Sequence, residues 1–494
     1  MLTRLRRTCV RIVAYLAEPR ATFRSVMSRP LRTSFRSYWV RLVASAVAGW
    51  VLVLGLVAGA LRWRRVGAAL MIVLIAAAFV RWRSRPAFGT NRGLPPGPLK
   101  RTPGSLLDES HYEKLRSRHG GCFKTNFGAQ RMICVADLNR SASVLSANSG
   151  KLRFPARSMN AVVPGGFIRA LEGSDHENYR GLLATAFSST VANGAPAVLA
   201  PHFRAALART RPDENPGPVL HRAVFAGSLS LFFGLEPEAG LMGALQVHHD
   251  GFDILDRRPC TASSHRSFAG CIELLRGASV KGSLQEPCAI ERLRSAGVEP
   301  YDDPRLIGNL VFLHQTTTND TAELLLWLLK ELADRPQLQE DVNAELTDHG
   351  TDGPPSSTLA DRIVSETLRL HQSEYVMREV VADVSIDRWR IPAGWIFRAC
   401  VREAHRDPSV FPDPQRFDPA RFAYGRFSRQ EYAPFGLDAR SCLGERLVRA
   451  AGRALVETAV SGFRFETIAD GPEEMNRNGH WGPNHRFRLR VTPR

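Results

Sequence analysis

Residues 42–61 run for twenty positions without a charge, LVASAVAGWVLVLGLVAGAL. As a helix this stretch is about 30 Å long, the thickness of a bilayer's hydrocarbon core. Arg62-Trp63-Arg64-Arg65 follows, then fifteen more uncharged residues, 66–80, roughly 22 Å as a helix, and then Trp82. The two tryptophans suit membrane interfaces. The apolar run starts too late for a secretory signal, and no small-residue cleavage site follows it. Residues 39–92 therefore predict a hydrophobic membrane anchor. The competing reading is a hydrophobic hairpin buried in a soluble domain.

Charge is concentrated in the same region. The chain's formal charge is +18, and residues 1–92 hold seventeen arginines, no lysine and one acid, Glu18. That segment accounts for +16, which leaves +2 on the other 402 residues. A duplex-binding protein carries its basic patch on the folded domain. A near-neutral large domain predicts no nucleic-acid partner and points to membrane lipid instead. Ten arginines precede the first run, three lie between the runs and four follow the second. A two-span hairpin, 42–61 and 66–80, puts fourteen on one side against three, as cytoplasmic flanks require. It leaves residues 93–494 on the cytoplasmic side. A single span would place that domain on the opposite side. The arginine-rich segment 1–38 also fits an organelle transit peptide.

Gly93-Leu94-Pro95-Pro96-Gly97-Pro98 is a stiff turn, because proline fixes φ and stops a helix. Beyond it the chain reads as mainly α with a small β region. Residues 309–334 predict a helix, with leucines at 310, 313, 324–326, 328 and 329 and Pro336 ending it. Its middle is polar, His314-Gln315-Thr316-Thr317-Thr318-Asn319-Asp320-Thr321. A polar waist in an apolar helix suggests a polar cavity at that level. A solvated turn between two shorter helices is the alternative, since three β-branched threonines are mediocre helix formers. Residues 365–370 fall in a second helix, with Glu366 and Arg369 on one face. Alternation over 376–398, turning at Pro392-Ala393-Gly394, suggests a small sheet.

Eight cysteines in 494 residues, with no CxxC pair, exclude a disulfide-stapled miniprotein and a zinc ribbon. Cys442 stands apart, where a glycine-containing loop enters a helix expected over 443–460. Amides at a helix N-terminus stabilise a thiolate, and a thiolate held there can ligate iron. Taken alone, a single cysteine is more often a small buried apolar residue.

The motifs taken together resemble the cytochrome P450 family over residues 93–494. The family's heme loop FxxGxRxCxG is matched at Phe435, Arg440, Cys442 and Gly444, with Asp438 in place of the usual glycine. Its ExxR helix is matched by Glu366 and Arg369, and its later arginine loop by Phe417-Asp418-Pro419-Ala420-Arg421-Phe422. The run 404–414 is also family-like, and His176 and Arg180 resemble the family's HxxxR segment. The resemblance implies the P450 fold, a heme b cofactor and Cys442 as the iron's thiolate ligand. It implies Arg440, Arg378, His176 and Arg180 as partners for the heme propionates, and Phe435 against the heme. Glu366, Arg369 and Arg421 would form a buried structural network. Asp438 is expected to take the positive φ that the family's glycine allows.

In the family the long helix carries an acid and then a threonine beside the oxygen site. Counting back from Pro336 puts these roles on Asn319 and Asp320, with Asp320 facing the iron. A one-residue shift makes the pair Asp320-Thr321. The activity implied is a monooxygenase acting on a small lipophilic substrate. With no convincing GxGxxG or cysteine cluster in the chain, its electrons would come from a separate flavoprotein reductase or ferredoxin. A heme-thiolate isomerase, dehydratase or peroxide-using enzyme, and a non-catalytic heme sensor or scaffold, are the competing readings.

Overall fold

The computed structural model describes residues 93–99, 110–127, 130–155, 161–252, 260–281, 287–348, 358–371, 376–424, 427–475 and 481–494. The basic segment 1–38 and the anchor 39–92 lie outside them. Residues from Gly93 to Arg494 fall in one compact unit. Among the described residues, no single helix is long and apolar enough to cross a membrane.

The helices are α1 His111–His119, α2 Leu138–Ala147, α3 Gly173–Ala186, α4 Ser189–Ala208, α5 Gly217–Phe233, α6 Ala239–Asp250 and α7 Ala262–Lys281. They continue as α8 Ala289–Ser295, α9 Pro304–Ala333, α10 Pro336–Thr347, α11 Leu359–His371, α12 Val401–Ala404, α13 Arg421–Tyr424 and α14 Glu445–Gly462. Strands β1 Cys122–Phe127, β2 Gln130–Val135, β3 Leu152–Arg153, β4 Val376–Val380 and β7 Ile396–Ala399 form one sheet in the order β1-β2-β7-β4-β3. Its β2–β7 pair is parallel and the rest are antiparallel. The expected sheet over 376–398 is thus β4, β7 and the hairpin of β5 Val384–Ile386 with β6 Trp389–Ile391.

The helical half is built round α9. It starts five residues before the expected boundary because Asp303 caps it. The Asp303 carboxylate accepts from the amides of Arg305 (2.8 Å) and Leu306 (3.0 Å), and Pro304 occupies the first turn. The helix runs unbroken through the polar block, which removes the two-helix alternative. Thr316 and Thr318 donate to the carbonyls of Phe312 (3.0 Å) and His314 (2.9 Å), so these hydroxyls are satisfied within the helix.

Helix α9 packs on α5, α11 and α14, and α4 packs on α14. Leu325, Leu328, Leu329 and Leu332 on α9 meet Ile363, Leu455 and Val460 in one core. Each fully buried leucine contributes roughly 1.5–3 kcal/mol. Gly452 lets α14 approach α11, since a Cβ there would stand 2.9 Å from a Val364 methyl.

The Glu366 carboxylate accepts from Arg369 Nε (2.7 Å) and Nη2 (2.8 Å), and both residues are fully buried. Arg369 also donates to the carbonyls of His405, Pro414 and Arg416. Arg421 reaches Glu366 at 3.4 Å and donates to the carbonyl of Asp413. The ion pair therefore ties α11 to the irregular stretch before the cysteine loop.

Candidate active site

Residues 435–444 form a tight loop leading into α14. The amide of Cys442 donates to the Phe435 carbonyl (2.8 Å), and that of Ser441 to the Asp438 carbonyl (2.9 Å). Gly444 caps α14, so Cys442 lies two residues ahead of the cap, beside the unpaired first-turn amides. Gly436, at φ 101°, is the loop's positive-φ residue. Asp438 is not, and the expectation that it takes that backbone conformation is corrected. Its side chain has other work: it accepts from the Arg440 amide (2.9 Å) and pairs with Arg378.

A cavity of about 240 Å³ opens between this loop and α9. Cys442 and Phe435 line one wall, and Thr317, Asp320 and Thr321 line the α9 wall. The α9 residues on the cavity include 313, 316, 317, 320, 321, 324 and 327, the i, i+3, i+4, i+7 spacing of one helix face. Asp320 and Thr321 stand on adjacent rows of that face, so both meet the cavity. The Thr321 hydroxyl is buried and has no hydrogen-bond partner among the described residues.

Asn319, placed in the acid position by the sequence reading, does not line the cavity. Its side-chain oxygen lies 3.0 Å from His221 Nε2 on α5. The residues 315 and 319 belong to the face that packs on α5 and α6, where Gln315 donates to the His249 carbonyl (3.2 Å).

The rim beside Cys442 is cationic. Arg440, Arg180 and His176 line the cavity together with Arg169. Arg180 donates to the Ser441 carbonyl (3.0 Å) and Arg440 to the Arg169 carbonyl (2.8 Å). Burial, and next the neighbouring Arg440 and Arg180, push His176 down to about 4. Burial, followed by Arg378, depresses Arg440, and burial depresses Arg180. Asp438 opposes the depression of both arginines, and Arg378 already holds it. Arg378 borders a smaller space behind the loop rather than the main cavity. Guanidinium donors gathered beside Cys442 suit a bound dianion, and the two propionates of a porphyrin are one. These donors, with Cys442 facing the same cavity, fit a heme.

The sequence reading missed Arg169, which lies in the short turn Ile168–Ala170. It also missed Glu323, Trp327, His371 and Trp481, all on the cavity. The helical spacing of 317, 320, 324 and 327 was the available signal for the α9 members. Nothing local marks Trp481, which reaches the cavity only through tertiary packing.

A mainly helical fold with a helix-head cysteine, a cationic rim and a facing polar helix defines a heme-thiolate class of protein. Residues 312–487 match the Cytochrome P450 family model. An abscisic acid 8'-hydroxylase of Solanum lycopersicum is 29% identical over 214 residues, covering 40% of this chain and 45% of that protein. Abscisic acid 8'-hydroxylase 2 of Arabidopsis thaliana is 32% identical over 207 residues, covering 39% and 42%. These matched segments span less than half of either relative. Abscisic acid 8'-hydroxylase 1 of Oryza sativa subsp. japonica aligns over 84% of this chain and 97% of its own length at 24% identity. The solved structure of retinoic acid bound cyanobacterial CYP120A1 superposes with a TM-score of 0.66 at 19% identity, covering 81% of this chain and 99% of that one. Together these likenesses support a cytochrome P450.

Proposed function

We propose that this chain is a heme-thiolate monooxygenase that hydroxylates a small lipophilic molecule. The observation that carries the reading is Cys442 at the head of α14, across one cavity from Asp320 and Thr321. The reaction takes a C–H bond, dioxygen, two electrons and two protons to a C–OH bond and water. When bound, heme supplies the iron chemistry that activates dioxygen.

This chain's residues hold the site and manage protons. Cys442 supplies the sulfur ligand. Arg440, Arg180, His176 and Arg169 take the propionates, and Arg378 acts from behind by holding Asp438. Asp320 delivers protons to the cavity, and the Thr321 hydroxyl orders water beside it. Apolar residues such as Leu313, Phe312 and Leu324 exclude bulk water. The two electrons come from a separate flavoprotein reductase or ferredoxin. The runs 42–61 and 66–80 support a two-span membrane anchor, which puts the catalytic domain on the cytoplasmic side. The relatives' names speak of hydroxylating abscisic acid, and that substrate is not carried over to this chain.

The deciding experiment supplies isotopically labelled dioxygen and a reductase to the purified protein. Label in the product, formed only when reductant is present, is expected. Product formed without reductant, or without label, would establish the isomerase, dehydratase or peroxide reading instead.

A further inference from the structure

We propose that Asp438 and Arg378 form a neutral unit behind the cysteine loop that sets the reduction potential of the heme iron, with Arg378 serving Asp438 and not a propionate; this rests on the heme-thiolate reading of the site. Asp438 stands at the loop position where the cytochrome P450 family usually has glycine. Glycine brings no charge there, so the carboxylate is this chain's own addition to the surroundings of the cofactor.

The contacts of the pair are complete on both sides. One carboxylate oxygen of Asp438 accepts from the Arg440 amide (2.9 Å), and the other pairs with Arg378 Nη2. Arg378 Nη1 donates to the Met377 carbonyl (2.7 Å). Both terminal nitrogens of Arg378 therefore have acceptors, and Asp438 joins strand β4 to the cysteine loop. The Arg378 side chain is 6% exposed and that of Asp438 21%. Water screens such a pair little, and each member depends on the other for its counter-charge. Arg440 gives Asp438 its backbone amide, while its guanidinium stays on the cavity side and donates to the Arg169 carbonyl (2.8 Å).

The unit lies one layer of residues from the main cavity. It borders the small space behind the loop, and Phe154, Arg169, Phe435 and Arg440 line both that space and the cavity that holds Cys442. Across so thin a wall an uncompensated charge acts on the neighbouring site. Reduction adds an electron to the iron, so a positive neighbour favours the ferrous form and a negative one the ferric form. While Asp438 and Arg378 face each other, the two effects cancel.

The test measures potential and heme retention rather than turnover. The substrate-free holoenzyme is titrated with dithionite against reference dyes, and heme loss to apomyoglobin is timed. Asp438→Asn keeps an acceptor for the Arg440 amide and leaves Arg378 uncompensated. At a fixed ambient potential its ferrous-to-ferric ratio is expected to rise about tenfold, which is about 59 mV for one electron. Arg378→Leu should lower that ratio about tenfold and speed heme loss about tenfold, because a bare carboxylate then repels the propionates. The double variant, Asp438→Asn with Arg378→Leu, should return both quantities to within about threefold of wild type. An unchanged or lowered ratio in Asp438→Asn overturns the proposal, and that variant decides the question even where Arg378→Leu fails to fold. Heme loss as fast in the double variant as in Arg378→Leu overturns it too, since Arg378 would then be a propionate donor. The reduced, CO-bound spectrum of the wild type separates the two levels. An intact thiolate band without these shifts removes this proposal alone, and an absent band removes the heme-thiolate reading.

Discussion

Asp320 and Asn319 differ by one position and by about 100° around α9, and that rotation puts Asp320 on the cavity and Asn319 against His221. Asp320→Asn and Thr321→Val should each divert reducing equivalents to hydrogen peroxide. For Asp320→Asn we expect product per electron to fall by about tenfold or more, since positioned proton transfer contributes about 10²–10⁴-fold. Asn319→Ala should leave this ratio within about twofold, because the side chain faces His221. Measured peroxide against product in the three variants checks the assignment. Counting from Pro336 could locate the pair only to within one residue. The helical spacing shows which of these residues line the cavity, but which face meets it is set by α5 and α6, which pack on the other side. Arg169 shows a similar limit. A lone arginine seven residues before His176 has no motif to mark it, and tertiary placement alone makes it part of the rim. At Glu366 the reading went further, because an i, i+3 acid–base pair matched a family motif. Glu366→Gln would leave the guanidinium of Arg369 without its buried counter-charge. A loss of about 3–5 kcal/mol is expected, read as a lowered urea midpoint.

Helix α14 carries Arg446, Arg449 and Arg453 at spacings that place them on one face. The three have different surroundings. Arg449 lies over the Phe435 ring at 5.1 Å, donates to Ser365 Oγ (3.2 Å) and pairs with Glu445. Arg453 is within 4 Å of both Asp361 and Glu457. Arg446 is exposed. An acidic electron donor docking on this face would therefore meet Arg446 first. Arg446→Glu should slow reduction by the donor at low ionic strength, and salt should erase the difference. Arg449→Glu should weaken heme retention at any ionic strength, because it pushes on the cysteine loop. Stopped-flow reduction over a salt series distinguishes the two. The existence of α9, α11 and α14 was legible from leucine spacing and from Pro336. Their starts were less so: α9 begins at the Asp303-Pro304 cap, and α14 begins at Glu445, once the cysteine loop has closed on itself.

Across the whole described domain, several histidines are buried as neutral rings. Burial pushes His249 and His405 down to about 3 and His314 well below its ordinary value. The His405 ring accepts from the Ala433 amide (2.9 Å), which requires its Nε2 to stay unprotonated. In the unfolded chain these rings take up protons near pH 6.5, whereas in the folded state His249 and His405 do not until about pH 3, and His314 is held well below its ordinary value too. The unfolded state therefore binds more protons throughout that window, and stability falls as pH falls. Each ring costs up to about 1.4 kcal/mol per pH unit below 6.5. Thermal midpoints of the holoenzyme should be flat from pH 8 to 7 and should drop steeply between about pH 6 and 4. His405→Gln should blunt that slope if it folds, and unchanged midpoints down to pH 4 would refute the account. The family and the heme loop were legible at this scale because several short motifs fall in the right order. The cavity's acidic and aromatic end was not, since it joins residues 323, 327, 371 and 481, which only the fold brings together.

The central claim is that Cys442 gives the iron its sulfur ligand, and the absorbance of the reduced, CO-bound protein tests it most directly. The wild-type chain should give the red-shifted band of thiolate ligation. Cys442→Ser and Cys442→His should lose it, while Cys400→Ala and Cys288→Ala should keep it, since burial raises both of those thiols. A thiolate band that survives in a Cys442 variant, or one that never forms in the wild-type holoprotein, would contradict the account.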